Sequence, residues 1–146
     1  MTTVAECTGL QRTARHDNYK CSQMDAPTSF PGGSLIGFSV YDLNTGVDGK
    51  CVERLKLDGY DYYATPLRPT SGNPVASTVE VNLATKTFTG TVPSGVRPSD
   101  PNALTDAQAT SAVQFFFPSR NGYIDGSFSI ACEAGAAGNG GEILFA

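Results

Sequence analysis

Short segments in which apolar and polar side chains alternate recur along the sequence and restrict the fold to a β protein. In SLIGFSVYDL, Ile36, Phe38 and Val40 fall on one face of an extended chain, and Ser39 and Tyr41 fall on the other. KCVERLKLDG alternates in the same way, and we expect it to pair with the preceding strand. No long segment has the 3.6-residue period of an amphipathic helix. The chain is therefore predicted to be all-β.

The clearest strand signals come in two predicted hairpins. VASTVEVNLATKTFTGTV is predicted to turn near residues 84–86, and its Val and Thr side chains suit a pleated surface. AVQFFFPSRNGYIDGSFSIAC is predicted to turn at PSRNG, and one face of its second strand is expected to carry Ile124, Phe128, Ile130 and Cys132. Between them, a proline-containing loop is expected to carry a short helix capped by Thr105 or Asp106. EILFA is predicted to add a final strand.

Glycine and proline residues lie between the predicted strands, and their number narrows the prediction of the fold. The 16 Gly and 9 Pro supply turns between short strands, which indicates an antiparallel β-sandwich or a small β-barrel of about seven or eight strands with at most one short helix. A chain of 146 residues has the usual size of one domain. We predict a single domain over 1–146, in which 1–34 form an irregular arm held by disulfides and 35–146 form the β core.

The four cysteines predict disulfides rather than a metal site. Cys7, Cys21, Cys51 and Cys132 contain no Cys-x-x-Cys pair, and His16 is the only histidine. Zinc sites normally use closely spaced thiolates with histidine, so two disulfides formed in an oxidising compartment account better for this pattern. Three pairings are possible, and we expect Cys7–Cys132 with Cys21–Cys51, which would tie the arm to the core.

Charge and hydropathy exclude several classes of partner. The net charge is −4 and the sequence has no dense Lys/Arg stripe, which argues against nucleic-acid binding. No apolar run is long enough for a transmembrane helix, so no membrane insertion is expected. MTTVAECTGL lacks the apolar segment of a signal peptide, and we expect a secreted protein whose signal peptide has been removed. No nucleotide-binding glycine motif is present, so no cofactor is predicted.

The sequence predicts no catalytic residues. His16 lies in the arm, and no serine has the glycines of a nucleophile elbow around it. Glu53 and Glu80 lie on predicted strands and could in principle flank a glycosidic bond. Because a β protein with 14 acidic residues offers such pairs by chance, a carboxylate-dependent hydrolase or lyase is only the second alternative.

Aromatic residues provide the candidate binding surface. In GYDYYATPLRP, an extended chain places Tyr60 and Tyr62 on one face and Tyr63 on the other, so the three rings cannot share one surface. FFF at 115–117 has phenylalanine on both faces, so Phe116 needs cover from a loop or a second subunit, and a homodimer is a hypothesis. The candidate ligand or partner surface comprises Tyr41, Tyr60, Tyr62, Tyr63, Arg68 and Phe116.

The dispersed cysteines, the GGSLIGFSVYD strand, the Thr/Val hairpin and the GSFSIAC ending resemble the small secreted β proteins of filamentous fungi. This group includes β-barrel allergens, elicitors and host-interaction effectors. The cysteine spacing differs from that of the barrel allergens, so their disulfide pattern is not carried over. The resemblance implies an extracellular, non-enzymatic protein that acts on or near another organism. We therefore expect recognition of a protein or cell-wall polysaccharide surface, with a carbohydrate-binding module using exposed tyrosines as the alternative.

Overall fold

The described residues of the protein form two four-stranded antiparallel sheets, a two-stranded hairpin and a short helix. A computed structural model describes residues 10–13, 16–19, 31–94, 98–119, 124–136 and 144–145, and within 10–13, 16–19 and 144–145 it describes the backbone alone. Over these ranges the prediction of a mostly β chain with one short helix is confirmed.

In chain order the described elements are β1 (Leu10–Thr13), β2 (His16–Tyr19), β3 (Leu35–Tyr41), β4 (Cys51–Asp58), β5 (Tyr62–Ala64), β6 (Val79–Asn82), β7 (Thr87–Gly90), α1 (Asp106–Thr110), β8 (Val113–Pro118), β9 (Asp125–Cys132) and β10 (Leu144–Phe145). The first sheet has the strand order β10-β3-β8-β5, and the second sheet has the order β6-β7-β4-β9. The hairpin pairs β1 with β2.

One of the two predicted hairpins is confirmed and the other is wrong. β6 and β7 pair as predicted, with Val81 opposite Phe88. β8 and β9 do not pair with each other, because β8 lies between β3 and β5 in the first sheet and β9 lies beside β4 in the second. The expected pairing of β3 with β4 is wrong for the same reason. Each of these connections crosses from one sheet to the other, and alternation defines the faces of a strand without defining its neighbours.

The two sheets contribute side chains to one hydrophobic cluster. Phe88 from the second sheet and Phe115 from the first are fully buried, and their ring centroids lie 4.7 Å apart at an interplanar angle of 87°. Such edge-to-face contacts add to the free energy of burial. The buried members of the cluster are Val40, Leu43, Leu55, Leu57, Val79, Phe88, Val113, Phe115 and Phe117.

Residues 42–50, which we call the crossing segment, connect β3 in the first sheet to β4 in the second. The backbone N–H of Leu43 donates to the carbonyl of Ser111 at 3.0 Å, and that of Thr45 donates to the carbonyl of Val92 at 3.0 Å. The N–H of Asn44 donates to the buried Glu53 carboxylate at 3.1 Å, and the N–H of Glu53 donates to the Asn44 carbonyl at 3.1 Å. These reciprocal bonds satisfy polar groups that would otherwise be costly to bury.

The helix α1 covers one end of the outer side of the first sheet. Tyr41 points away from the core residue Val40 and is buried in a second cluster with Leu104, Ala109 and Ala112. The predicted cap at Thr105 is confirmed: its hydroxyl accepts the Gln108 N–H at 3.3 Å, and the Gln108 side chain accepts the Thr105 N–H at 2.9 Å. The helix does not cover the opposite end of this face, where Leu35 and Tyr62 are exposed.

The observed disulfide corrects the predicted cysteine pairing. Cys51 on β4 lies directly opposite Cys132 on β9, and their sulfurs are bonded. Cys7–Cys132 and Cys21–Cys51 are therefore wrong, because the strand pairing brings Cys51 and Cys132 to each other. Cys7 and Cys21 lie outside the described residues. The arm is also more regular than predicted, since β1 and β2 form an antiparallel hairpin within it.

With Cys51 and Cys132 bonded to each other, a second disulfide can join only Cys7 to Cys21. We expect the oxidised chain to weigh two hydrogens less than the reduced chain for each of two disulfides, and to resist alkylation unless it is first reduced. A peptide map made without reduction should then give Cys7–Cys21 and Cys51–Cys132 cross-links. A peptide joining Cys7 to Cys132 would contradict this pairing.

Candidate functional site

The tyrosines of the 59–69 stretch have different environments. Tyr62 is 48% exposed, whereas Tyr63 is half-buried and its ring lies 5.1 Å from that of Phe88. Tyr60 also packs into the core, with its ring centroid 5.4 Å from that of Phe115. The predicted common face of Tyr60 and Tyr62 is wrong, because β5 begins at Tyr62 and Tyr60 precedes it. Strand alternation therefore does not extend back to Tyr60.

The remaining candidates lie in three places. Tyr41 is buried beneath α1 and is not available to a partner. Arg68 is exposed in the loop after β5, and its Nη2 lies 3.9 Å from the position that a Cβ on Gly72 would occupy. Phe116 is half-buried on β8 directly opposite Tyr62, and the two ring centroids are 5.0 Å apart at an angle of 32°. Of the predicted surface, the structure brings Tyr62 and Phe116 together.

These two rings belong to an apolar surface that we call the open face, formed by Leu35, Gly37, Tyr62, Ala64 and Phe116 on the outer side of the first sheet. Tyr62, Phe116 and Gly37 form one row across β5, β8 and β3. A Cβ on Gly37 would have only the Gln114 side chain within 4 Å, at 3.5 Å. The surface beside Phe116 is therefore a shallow depression above the Gly37 backbone. Leu35, like Tyr62, is 48% exposed.

The outer side of the second sheet has the opposite character. Glu80, Thr89 and Arg54 align across β6, β7 and β4, with exposed polar residues on either side of this row. At one end, Lys86 Nζ lies 2.9 Å from Asp58 Oδ1, and this hydrogen bond lowers the pKa of the Asp58 carboxyl. One outer face is therefore charged and well solvated, whereas the other exposes aromatic and aliphatic side chains.

The carboxylates considered for catalysis do not converge. Glu53 is buried on the inner side of β4, where its carboxylate accepts the Asn44 N–H. Glu80 is exposed on the outer side of β6 in the same sheet, so the two groups lie on opposite faces. Within the described ranges, no group of three or more His, Cys, Asp or Glu side chains could hold a metal ion.

A groove of about 390 Å³ lies between the crossing segment and α1. The Thr110 and Ser111 hydroxyls donate to backbone carbonyls of α1, and none of the described residues that line the groove is charged. These residues therefore offer little to orient a specific polar ligand. The residues that line the groove are Val47, Val92, Pro93, Ser94, Ala107, Thr110 and Ser111.

Comparison with known proteins finds no matching family model, no matching curated protein and no matching solved structure. Among the described residues, no helix has the length and apolar character needed to cross a membrane. Sequence reasoning missed Leu35, Gly37 and Ala64 as parts of the open face. The signal at Leu35 was an apolar side chain out of phase with Ile36, Phe38 and Val40 on the same strand.

Proposed function

We propose that the protein is a recognition module that binds another protein through the open face. The observation that supports this is the contrast between the two outer faces. Globular proteins usually solvate the outer side of a sheet with polar residues, as the second sheet does here. Leu35, Tyr62 and Phe116 break that rule on adjacent strands. Apolar patches of this kind mark interaction sites.

The chemistry of the open face favours a protein partner. The centres of protein interfaces are enriched in aromatic residues and depleted of charge, and no member of the open face is charged. Tyr62 offers a large contact area with few rotatable bonds, and Phe116 supports its ring from the next strand. Leu35 adds aliphatic surface, which fits an apolar side chain of a partner better than it fits a hydroxylated ligand.

Carbohydrate binding is the alternative function, because the neighbouring Tyr62 and Phe116 rings are tilted by only 32° and could stack on a sugar. A larger tyrosine platform has less support. Tyr41 is buried beneath α1, and Tyr60 and Tyr63 pack against the core.

We further propose that the protein is an extracellular β-sandwich without carboxylate-dependent catalysis. Together with the resemblance to secreted fungal proteins, the Cys51–Cys132 disulfide favours an extracellular protein of host-interaction type. Contacts such as Phe88 to Phe115 favour a β-sandwich over a barrel. The placement of Glu53 and Glu80 on opposite faces favours a protein without carboxylate-dependent catalysis.

A pair of double variants tests the open face. Leu35→Ser/Tyr62→Ser removes two exposed apolar side chains, and Arg54→Ser/Glu80→Ser removes two exposed side chains from the opposite outer face as a matched control. Immobilised wild-type protein would be used to capture proteins from extracellular fluid. Each captured protein would then be purified and titrated by calorimetry. We expect Leu35→Ser/Tyr62→Ser to weaken binding at least about tenfold, and the control to match wild type.

Equal binding by wild type and Leu35→Ser/Tyr62→Ser would refute the open face as the recognition surface. Co-sedimentation with insoluble chitin, cellulose and β-glucan tests the alternative function, carbohydrate binding. Polysaccharide binding that is lost in Leu35→Ser/Tyr62→Ser, with no protein captured, would replace the proposed protein partner with a sugar.

A further inference from the structure

The strand β9 forms a long edge of the second sheet. It has eight residues and pairs with β4, and no other described strand lies beside it. The other sheet edges are shorter: β5 has three residues, β10 has two and β6 has four. Short edges are one way in which proteins avoid edge-to-edge association. β9 does not use it.

The hydrogen-bonding groups of alternate β9 residues point away from β4. The Glu133 N–H donates to the Lys50 carbonyl at 2.9 Å, which makes this a hydrogen-bonded pair just beyond the strand end. Such pairs alternate along an antiparallel ladder, so Cys132, Ile130, Phe128 and Gly126 are the non-bonded positions. Consistently, the N–H of Leu57, opposite Gly126, donates toward β7 at Lys86. The N–H and C=O groups of these four β9 residues therefore point away from β4, to the side where no other described strand lies.

Nothing within β9 blocks this edge. The strand has no proline and no lysine, its pairing with β4 has no bulge, and Asp125 is its only charged residue. The Cys51–Cys132 disulfide joins its far end to β4. Beside the edge, Phe128 and Ile130 are only half-buried, although their side chains lie on the inner side of the sheet. An edge whose backbone groups no other described strand satisfies, with an adjacent apolar strip, has the features of a strand-addition site.

We infer that β9 pairs antiparallel with β9 of a second copy of the chain, about a two-fold axis at Phe128. In this register, Phe128 lies opposite Phe128 of the second copy and Gly126 lies opposite its Ile130. Gly126, Phe128 and Ile130 then exchange backbone hydrogen bonds with the same three residues of the second copy, and the two second sheets become one continuous sheet of eight strands.

Self-complementarity argues for a second copy as the occupant. A Cβ on Gly126 would lie 2.3 Å from Leu57 Cδ2, so the Leu57 side chain fills the space above Gly126, and Ile130 of the second copy would lie beside this apolar position. The Phe128 rings meet across the axis as a cross-strand aromatic pair. On the outer side, Ser127 lies opposite Ser129 of the second copy, and no like charges oppose each other. Every favourable contact off the axis occurs twice.

This inference is independent of the proposed function, because the open face lies on the other sheet. A dimer through β9 leaves both open faces accessible and makes the particle bivalent, which raises its avidity for a partner presented on a surface. It also replaces Phe116 with β9 as the dimer contact.

Sedimentation equilibrium over a concentration series tests the dimer. Wild type is expected to move from 15.3 kDa toward twice that mass as its concentration rises. Ser127→Glu/Ser129→Glu places like charges opposite each other twice across the axis, whereas within one chain the new carboxylates lie beside Lys56 and Arg54. We expect this variant to remain at 15.3 kDa. The control Thr87→Glu/Ser99→Glu makes the same charge change away from the edge and should dimerise like wild type.

Wild type that stays monomeric, or a dimer that Ser127→Glu/Ser129→Glu does not affect, would overturn the inference. Hydrogen exchange on wild type gives a test that does not depend on a variant folding. The amides of Phe128 and Ile130 should exchange rapidly in dilute protein and become protected at high concentration. Fast exchange of both amides at every concentration would also overturn it. Loss of partner binding in Leu35→Ser/Tyr62→Ser with an unchanged dimer separates this inference from the proposed function.

Discussion

Gly90→Ala is expected to destabilise the protein by about 3 kcal/mol or more. A Cβ on Gly90 would lie 2.3 Å from the backbone nitrogen of Asn44 and 2.6 Å from the carbonyl carbon of Leu43. These are backbone atoms of the crossing segment, which is held by hydrogen bonds to Ser111, Val92 and Glu53. The crossing segment therefore cannot move away from β7 without breaking these hydrogen bonds. Urea unfolding of the variant measures the loss.

Gly37→Ala is the matched control for Gly90→Ala. Both glycines lie in strands, but the Cβ of an alanine at 37 would meet only the Gln114 side chain, at an ordinary contact distance of 3.5 Å. Because alanine loses less backbone entropy than glycine on folding, Gly37→Ala is expected to be neutral or to stabilise by up to about 1 kcal/mol. Equal midpoints for the two variants would show that β7 does not approach the crossing segment closely.

Phe88→Ala is expected to cost about 3–5 kcal/mol, since it removes a fully buried ring and leaves a cavity between the two sheets. Phe88 contacts the rings of Phe115 at 4.7 Å, Tyr63 at 5.1 Å and Tyr60 at 6.0 Å. Phe115 belongs to the first sheet and Phe88 to the second, so the loss weakens the packing of one sheet on the other. Chemical denaturation followed by tyrosine fluorescence gives the free energy of unfolding.

Two further variants control for the size and the position of the Phe88 truncation. Phe88→Leu keeps most of the apolar volume and should cost distinctly less than Phe88→Ala. Tyr62→Ala removes a ring of similar size from an exposed position and should cost less than about 1 kcal/mol. If Phe88→Ala were no more destabilising than Tyr62→Ala, the two sheets would not share a core through Phe88.

The sequence predicted the strands better than it predicted their partners. The alternation in SLIGFSVYDL and KCVERLKLDG located β3 and β4 and their buried faces, because a period of two follows from the pleat itself. It also located β8 and β9 but assigned them to one hairpin. β3 and β4, and likewise β8 and β9, follow each other in sequence but lie in different sheets. The alternation of side chains along one strand carries no information about which distant segment pairs with it.

The disulfide and the open face also depend on contacts between residues that are far apart in sequence, which the sequence alone did not predict. Cys51 pairs with Cys132 because β4 and β9 are neighbours in the second sheet, a long-range fact that cysteine spacing alone cannot supply. Sequence reasoning identified Tyr62 and Phe116 as candidates but could not place them opposite each other. It assigned Tyr60 to the face of Tyr62 because it extended the strand two residues too far.

Nitration of the native protein by tetranitromethane tests the central claim that Tyr62 on the open face is presented to partners while its neighbours belong to the core. Tyrosine reacts as the phenolate, and burial raises the pKa of Tyr60, which slows its reaction. Peptide mass spectrometry over a time course should show Tyr62 modified well before Tyr41, Tyr60 and Tyr63. Nitration of Tyr41 or Tyr60 as fast as that of Tyr62 would contradict the account, because the open face would then not be the exposed aromatic surface of this region.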